Sequence, residues 1–345
     1  MLKLLREFFF RGRRPKSANY FVSTASQSRD RIRRLGLSLP RTDGKALLDT
    51  GKLSIPVAGE ARPHGFKPDP YLDWVIQIPA GERRSFARED VYEMFDLSWR
   101  KQHAGVTIYG LSITDNRWTY AMAGDAPERF SIIQAAVDLL EYSGDLSLIQ
   151  TELAGRMAAM ASRVTGRIAD AVVTESAGQA EMRRAELLRL QDELRADVLV
   201  VLKSDSAYPG LLVWEVLTGT GLQWGDGDLF HWDNPRRDCG DDSLFSVWTS
   251  TQPGYFFPED IKAGRFNPSD LVFGYWIARS FDPLGVFEVL ITELEYCRQQ
   301  LGGVLLARDG KPFDPVVERA RLSKVVEALK AKGIRPGSHT ALRMF

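Results

Sequence analysis

Apolar and polar positions along this chain follow an order of elements that occurs twice. The second half shows it more clearly. Asp197-Val-Leu-Val-Val-Leu is a short apolar run between polar residues, which suits a strand. A helical segment follows over Leu211–Leu217. Gly225-Asp-Gly-Asp-Leu-Phe-His-Trp opens a second strand, and Ser243-Leu-Phe-Ser-Val-Trp-Thr-Ser forms a third. Pro253-Gly-Tyr-Phe-Phe-Pro signals a turn. Asp270-Leu-Val-Phe-Gly-Tyr-Trp-Ile-Ala is a fourth, aromatic strand. A long helix over Pro283–Leu301 leads into the short strand Gly302-Gly-Val-Leu-Leu-Ala-Arg-Asp, and a last helix runs over Pro315–Lys332. Asp282-Pro283 and Asp314-Pro315 mark two of the helix starts. Each carboxylate can accept an orphan backbone N–H, and the fixed φ of proline suits the first helical position.

The first half reads similarly from Tyr71 onward. Trp74-Val-Ile-Gln-Ile is a strand, and Glu89–Arg100 a helix. Val106-Thr-Ile-Tyr-Gly-Leu-Ser-Ile and Arg117-Trp-Thr-Tyr-Ala-Met-Ala form a hairpin around Thr114-Asp-Asn. Ser131-Ile-Ile-Gln looks like a capping box, so 128–142 reads as helix where the second half has its fourth strand. Ser147–Arg167 is a long helix, Ala169-Asp-Ala-Val-Val-Thr-Glu-Ser a strand, and Gln179–Leu194 a helix. The shared order implies a tandem duplication with a degenerate first copy. The division is then 69–195 and 196–337, with 338–345 a tail.

Formal net charge is zero, which hides an asymmetry. Residues 1–45 hold twelve Lys/Arg and three Asp/Glu, so a basic arm precedes an acidic body. Residues 1–14 place Leu2, Leu4, Leu5, Phe8 and Phe9 on one helical face beside Arg11, Arg13 and Arg14, the pattern of an interfacial helix. Residues 15–68, rich in Ser, Arg, Gly and Pro, read as a largely disordered linker with a short ordered piece near Leu47–Leu53. No apolar run spans a bilayer and no signal peptide is evident. The expectation is a cytoplasmic protein with peripheral membrane contact through residues 1–14. Cys297 falls on an apolar helical stripe and Cys239 in a loop as an exposed thiol; the two form no disulfide framework.

Gly225-Asp-Gly-Asp-Leu-Phe-His-Trp, Leu244-Phe-Ser-Val-Trp-Thr-Ser-Thr-Gln-Pro-Gly and Leu301-Gly-Gly-Val-Leu-Leu-Ala-Arg-Asp-Gly, in that order, resemble the C-terminal FtsZ-binding domain family of the division protein ZipA. The resemblance covers about 196–334. It implies an α+β fold: here two tandem split β-α-β domains, each an antiparallel sheet with helices on one face. It also implies a non-enzymatic adaptor that binds the hydrophobic C-terminal tail of FtsZ on the open sheet face, without a cofactor. Matched residue by residue, the family's groove positions fall on Ser250, Phe273 and Tyr275. Strand parity adds Trp248, and the second strand adds Leu229 or Phe230, of which Phe230 is taken here. The family's N-terminal membrane anchor has no counterpart in this sequence.

Other chemistry finds little support. Asp226, Asp228, Asp233, Asp238, Asp241 and Asp242 crowd one region, but Phe230 stands where an EF-hand needs a ligand. The glycines of Gly219-Thr-Gly-Leu-Gln-Trp-Gly follow a helix rather than a strand, unlike a phosphate loop. His64, His103, His231 and His339 have no nucleophile or metal motif beside them. An RNA- or other peptide-binding module on the same sheet face is the alternative. Against RNA, residues 195–345 carry seventeen Lys/Arg and twenty Asp/Glu, the wrong sign for phosphate.

Overall fold

The computed structural model describes residues 25–42, 46–54, 67–80, 85–165, 172–173, 175–236 and 238–345. The basic segment 1–14 lies outside them. The chain forms two compact units, one of Pro63–Glu193, the other joining the N-terminal arm to Leu194–Arg343.

The arm corrects the reading of 15–68 as linker. It contains helix α1, Ala25–Leu35, and a short 3-10 turn, Thr50–Lys52, within the ordered piece expected near Leu47–Leu53. Ile32, Leu37, Leu48 and Leu53 are buried. They lie too irregularly for a periodic signal, which is why the stretch looked like a linker.

In the first unit, strands β1 (Asp73–Pro79) and β2 (Phe86–Ala87) precede helices α2 (Arg88–Met94) and α3 (Leu97–Gln102). The single helix expected over 89–100 is therefore broken. Asp96 restarts it, its side chain accepting from Trp99 N at 2.9 Å. Next come β3 (Val106–Ser112), β4 (Trp118–Tyr120), β5 (Arg129–Asp138), helix α4 (Leu146–Thr165), β6 (Val172–Val173) and helix α5 (Ala177–Leu194). The sheet order is β4-β3-β5-β1-β6, all antiparallel. The helix expected at 128–142 is instead β5, the central strand, paired with β1 on one side and β3 on the other. A capping-box match is a local signal. The β-branched Ile132, Ile133 and Val137, with two ladders to complete, outweigh it.

The second unit continues with β7 (Asp197–Lys203), α6 (Gly210–Thr220), β8 (Gln223–Trp224), β9 (Phe230–Asp233), β10 (Ser243–Trp248), α7 (Pro258–Lys262), β11 (Asp270–Trp276), α8 (Pro283–Leu301), β12 (Val304–Ala307), α9 (Pro315–Ala331) and α10 (His339–Met344). Its sheet order is β12-β7-β11-β10-β9-β8. In both units a long strand has a short edge strand beyond its first partner, with a long helix before that edge strand and a shorter one after it. Asp282 accepts from Gly285 N at 3.0 Å and Asp314 from Val316 N at 2.8 Å, so both aspartates cap their helices. Cys239 is buried, not an exposed thiol, and Cys297 lies in the core.

The arm packs on the α6 and α7 side of this second unit. Trp214 Nε1 donates to Ser38 O at 2.9 Å, and the N–H groups of Arg41 and Leu48 donate to Thr218 O and Thr220 O. These carbonyls belong to the last turn of α6, where a helix leaves acceptors unmet. Gly221 ends that helix at φ 110°, and a Cβ there would come within 3.0 Å of the Ala46 Cβ. The Arg31 guanidinium meets the Glu259 carboxylate with two hydrogen bonds, 2.8 and 2.6 Å, and lies over the rings of Trp224 and Phe257.

Candidate peptide-binding site

Directly paired residues of an antiparallel ladder share a face, so the register sorts the second sheet into two rows. One row contains Phe230, Val247, Phe273 and Val200, each paired with the next across β9, β10, β11 and β7. Tyr275 and Val198 belong to it as well. This row faces the helices. The Trp214 ring of α6 meets Phe230 edge-on at 5.0 Å, and Tyr275 OH donates to Pro283 O at the start of α8 at 2.6 Å. Burial pushes the Tyr275 phenol well above its ordinary pKa.

Three of the five expected groove residues are therefore core residues. Phe230 and Phe273 are wholly buried and Tyr275 nearly so. β11 is apolar on both rows, so alternation alone does not say which row meets the helices. Ser250 lies past the end of β10 and binds Asp270: its N–H donates to Oδ1 at 2.7 Å and its hydroxyl to Oδ2. It holds a loop to the start of β11. Of the expected set, Trp248 alone lies on the row turned away from the helices, where it is 5 % exposed, as buried as Tyr275.

That opposite row pairs Trp248 with Val272, Val272 with Val201 and Val201 with Leu306. Beside it run Ser246, Gly274 and Leu199, and Trp276 follows on β11. Leu199, Val201, Leu306 and Trp276 are half-buried, leaving apolar surface for a ligand. The signal that finds them is the register: once Trp248 is placed outward, its cross-strand partner fixes Val272, Gly274 and Trp276 as the outward set of β11. Gly274 is the floor. A Cβ there would come within 2.9 Å of both the Trp248 ring and Val198 O, so only glycine lets the indole lie across the strand.

The surround is polar and ordered. His231 Nδ1 is 2.8 Å from Ser246 Oγ and its Nε2 is 2.7 Å from Asp226 O. Arg279 grips Asp241 through two hydrogen bonds at 2.8 and 2.9 Å, and Arg195 stacks over Trp276 at 5.4 Å. Among the described residues no group of three or more His, Cys, Asp or Glu could hold a metal ion.

An apolar shelf with a glycine floor, on one side of a helix-backed antiparallel sheet, can desolvate a few large side chains of an extended or helical peptide. Residues 196–321 match the family model of ZipA, C-terminal FtsZ-binding domain. The ZipA-type match runs from the start of β7 into α9 and includes every strand of the second sheet. This is a protein-binding family of cell division, not a catalytic one. The match leaves out the arm and the first unit. No curated protein matches the chain. Among the described residues no helix is long and apolar enough to cross a membrane.

Proposed function

We propose that the second unit binds the hydrophobic C-terminal tail of FtsZ and that the protein is a non-enzymatic adaptor in Z-ring and septum assembly. One observation supports this above the others. Within the segment matching the ZipA family, Trp248 and Trp276 border an apolar row on the sheet face opposite the helices. Binding hot spots favour such aromatic anchors. The groove is then the half-buried Trp276, Leu199, Val201 and Leu306 over a buried Trp248, in place of Phe273 and Tyr275, which face the helices.

The test is fluorescence anisotropy of a labelled FtsZ C-terminal tail peptide from the same organism, titrated with the full chain. The full chain is needed because the arm packs on the domain. Saturable binding near micromolar levels, about −8 kcal/mol, is expected. No saturation at millimolar protein overturns the reading. The proposal includes a peripheral membrane contact through residues 1–14, with their leucine and phenylalanine face and arginine cluster. Co-sedimentation with anionic vesicles, lost on deleting residues 1–14, tests that part.

A further inference from the structure

The shelf ends in a concavity of about 320 Å³ over Ser246 and Gly274, with Trp276 as one wall. Its charge is lopsided. Asp226, Asp241 and Asp242 line it, and Arg279 is the lining cation. That cation is already engaged, by both oxygens of Asp241 and by Leu342 O at 2.9 Å. Among the described residues neither Asp226 nor Asp242 has an ion-pair partner, and both are exposed. The Trp276 ring carries the Arg195 guanidinium, a second cation beside the concavity, which still leaves three carboxylates against two guanidinium groups and shows that this ring accepts a cation.

A second observation also points to a ligand. Ser280 lines the same concavity and is 5 % exposed, and its buried hydroxyl has no hydrogen-bond partner. A buried polar atom without a partner is costly to a fold and is commonly explained by something that binds there. A hydroxyl offers either a donor or an acceptor, so it can take an N–H of an entering group.

We infer that the shelf ends in a cation-selective subsite. A Lys or Arg next to the apolar anchors of the bound peptide enters between Asp226, Asp242 and Trp276 and meets the Ser280 hydroxyl. This rests on the reading of the shelf as a peptide site and adds what the peptide must carry. Apolar anchors supply affinity, and the carboxylates fix direction and register by rejecting a peptide with an acid at that place.

The experiment uses two probes on the full chain. N-acetyl-arginine amide and N-acetyl-glutamine amide are titrated separately into ¹⁵N-labelled protein, following the amides of Ser246, Gly274 and Ser280. The FtsZ tail peptide is titrated in parallel into wild type and into the Asp226→Asn, Asp242→Asn double variant. Both aspartates are exposed, so the variant keeps the fold. The expected result is shifts with the arginine amide only, lost in the double variant, and tail affinity lowered about fivefold there. Equal shifts with both amides, or none, overturn the subsite. Unchanged tail affinity in the double variant likewise removes the subsite and leaves the tail-binding reading intact. Arginine-specific shifts without tail binding uphold the cation site and remove FtsZ as its partner.

Discussion

The central strands β5 and β11 each lie between two antiparallel partners, β3 and β1 for β5 and β10 and β7 for β11, and they differ on one face. Toward the helices each presents apolar side chains: Ile133, Ala135 and Val137 in β5, and Leu271, Phe273 and Tyr275 in β11. On the other face β11 offers Val272, Gly274 and Trp276, whereas β5 offers Ile132, Gln134 and Ala136. Gln134 donates to Gln77 of β1 at 2.9 Å, so an amide pair occupies the middle of the first sheet's outward face. Beside it Tyr109 and Tyr120 stack on each other at 5.2 Å, with Trp118 packed against Val75, Tyr109 and Ala136. Covering that amide pair with an apolar tail would strip water from polar groups for no new hydrogen bond. The comparison separates two demands on one strand. The inward row holds the fold and is apolar in both units; the outward row differs between them, and under the proposed function it is the row that binds.

The largest expected effect tests the inward rows. Phe273→Ala removes a fully buried ring and should cost about 3–5 kcal/mol, and Ile133→Ala about 2–5 kcal/mol. Thermal and urea melts of the two variants would show it. If Phe273→Ala left stability unchanged and removed only tail binding, the row would be the groove and the assignment of faces made here would be reversed.

Much of this architecture was legible in the chain. Asp282-Pro283 and Asp314-Pro315 announced α8 and α9 because capping is a local rule. Five of the second sheet's six strands were visible as short apolar runs, and their order carried the family resemblance; the two-residue β8, Gln223–Trp224, is too short to show an alternation. What failed depended on distant partners. Ser131 and Gln134 suggested a helix start, but two flanking ladders made the segment a strand. Phe273 and Tyr275 looked available because a strand buried on both faces gives no outward signal. The arm showed nothing periodic, since its buried residues Ile32, Leu37, Leu48 and Leu53 stand at irregular spacing.

A second contrast lies between the long helices. The inward positions of α4 include Ile149, Leu153, Met157 and Met160, whereas α8 buries Glu293 beside Leu290, Leu294 and Cys297. Cys297 Sγ is 3.4 Å from Glu293 Oε1, and Oε2 has no partner. Burial raises the carboxyl to about 8. An unfolded glutamate ionises near 4.3, so between that value and about 8 the folded state holds the extra proton. The contribution of Glu293 to stability is therefore most favourable at the acid end of this window and falls as pH rises through it, by an amount on the order of 5 kcal/mol. Glu293→Gln should flatten the dependence. Urea melts from pH 5 to 9 check this; parallel profiles for variant and wild type would mean that Glu293 is not the group responsible.

The outward rows come next in size. Val201→Asp sets a charge in the middle of the second shelf, paired with Val272 and Leu306. It should weaken FtsZ-tail binding by about thirtyfold, with little change in melting. Tyr120→Asp sets a charge at an exposed position of the first sheet's outward face, paired with Tyr109, and should leave tail affinity within about twofold of wild type. Equal losses from the two variants would erase the distinction between the faces, and a loss from Tyr120→Asp alone would move the site to the first unit.

The smallest effect concerns the arm, which the second unit includes and the ZipA-family match omits. Arg31 reaches Glu259 with two hydrogen bonds and stands 3.7 Å from Asp228, and this contact holds the Glu259 carboxyl below its ordinary range. The pair is partly exposed, so its own contribution is about 1 kcal/mol, including stacking on Trp224 and Phe257. Arg31→Ala should lower the second unit's melting temperature by about 2–4 °C, and the difference should shrink in high salt. The backbone bonds to Thr218 and Thr220 and the burial of Leu37 and Leu48 remain, so the arm stays attached in that variant. Removing residues 1–54 removes these contacts together and should destabilise the second unit by several times as much. If that truncation melts no lower than Arg31→Ala, the buried leucines contribute nothing and the arm is a tethered segment rather than part of the domain. A larger loss makes the functional unit 25–54 together with 194–345.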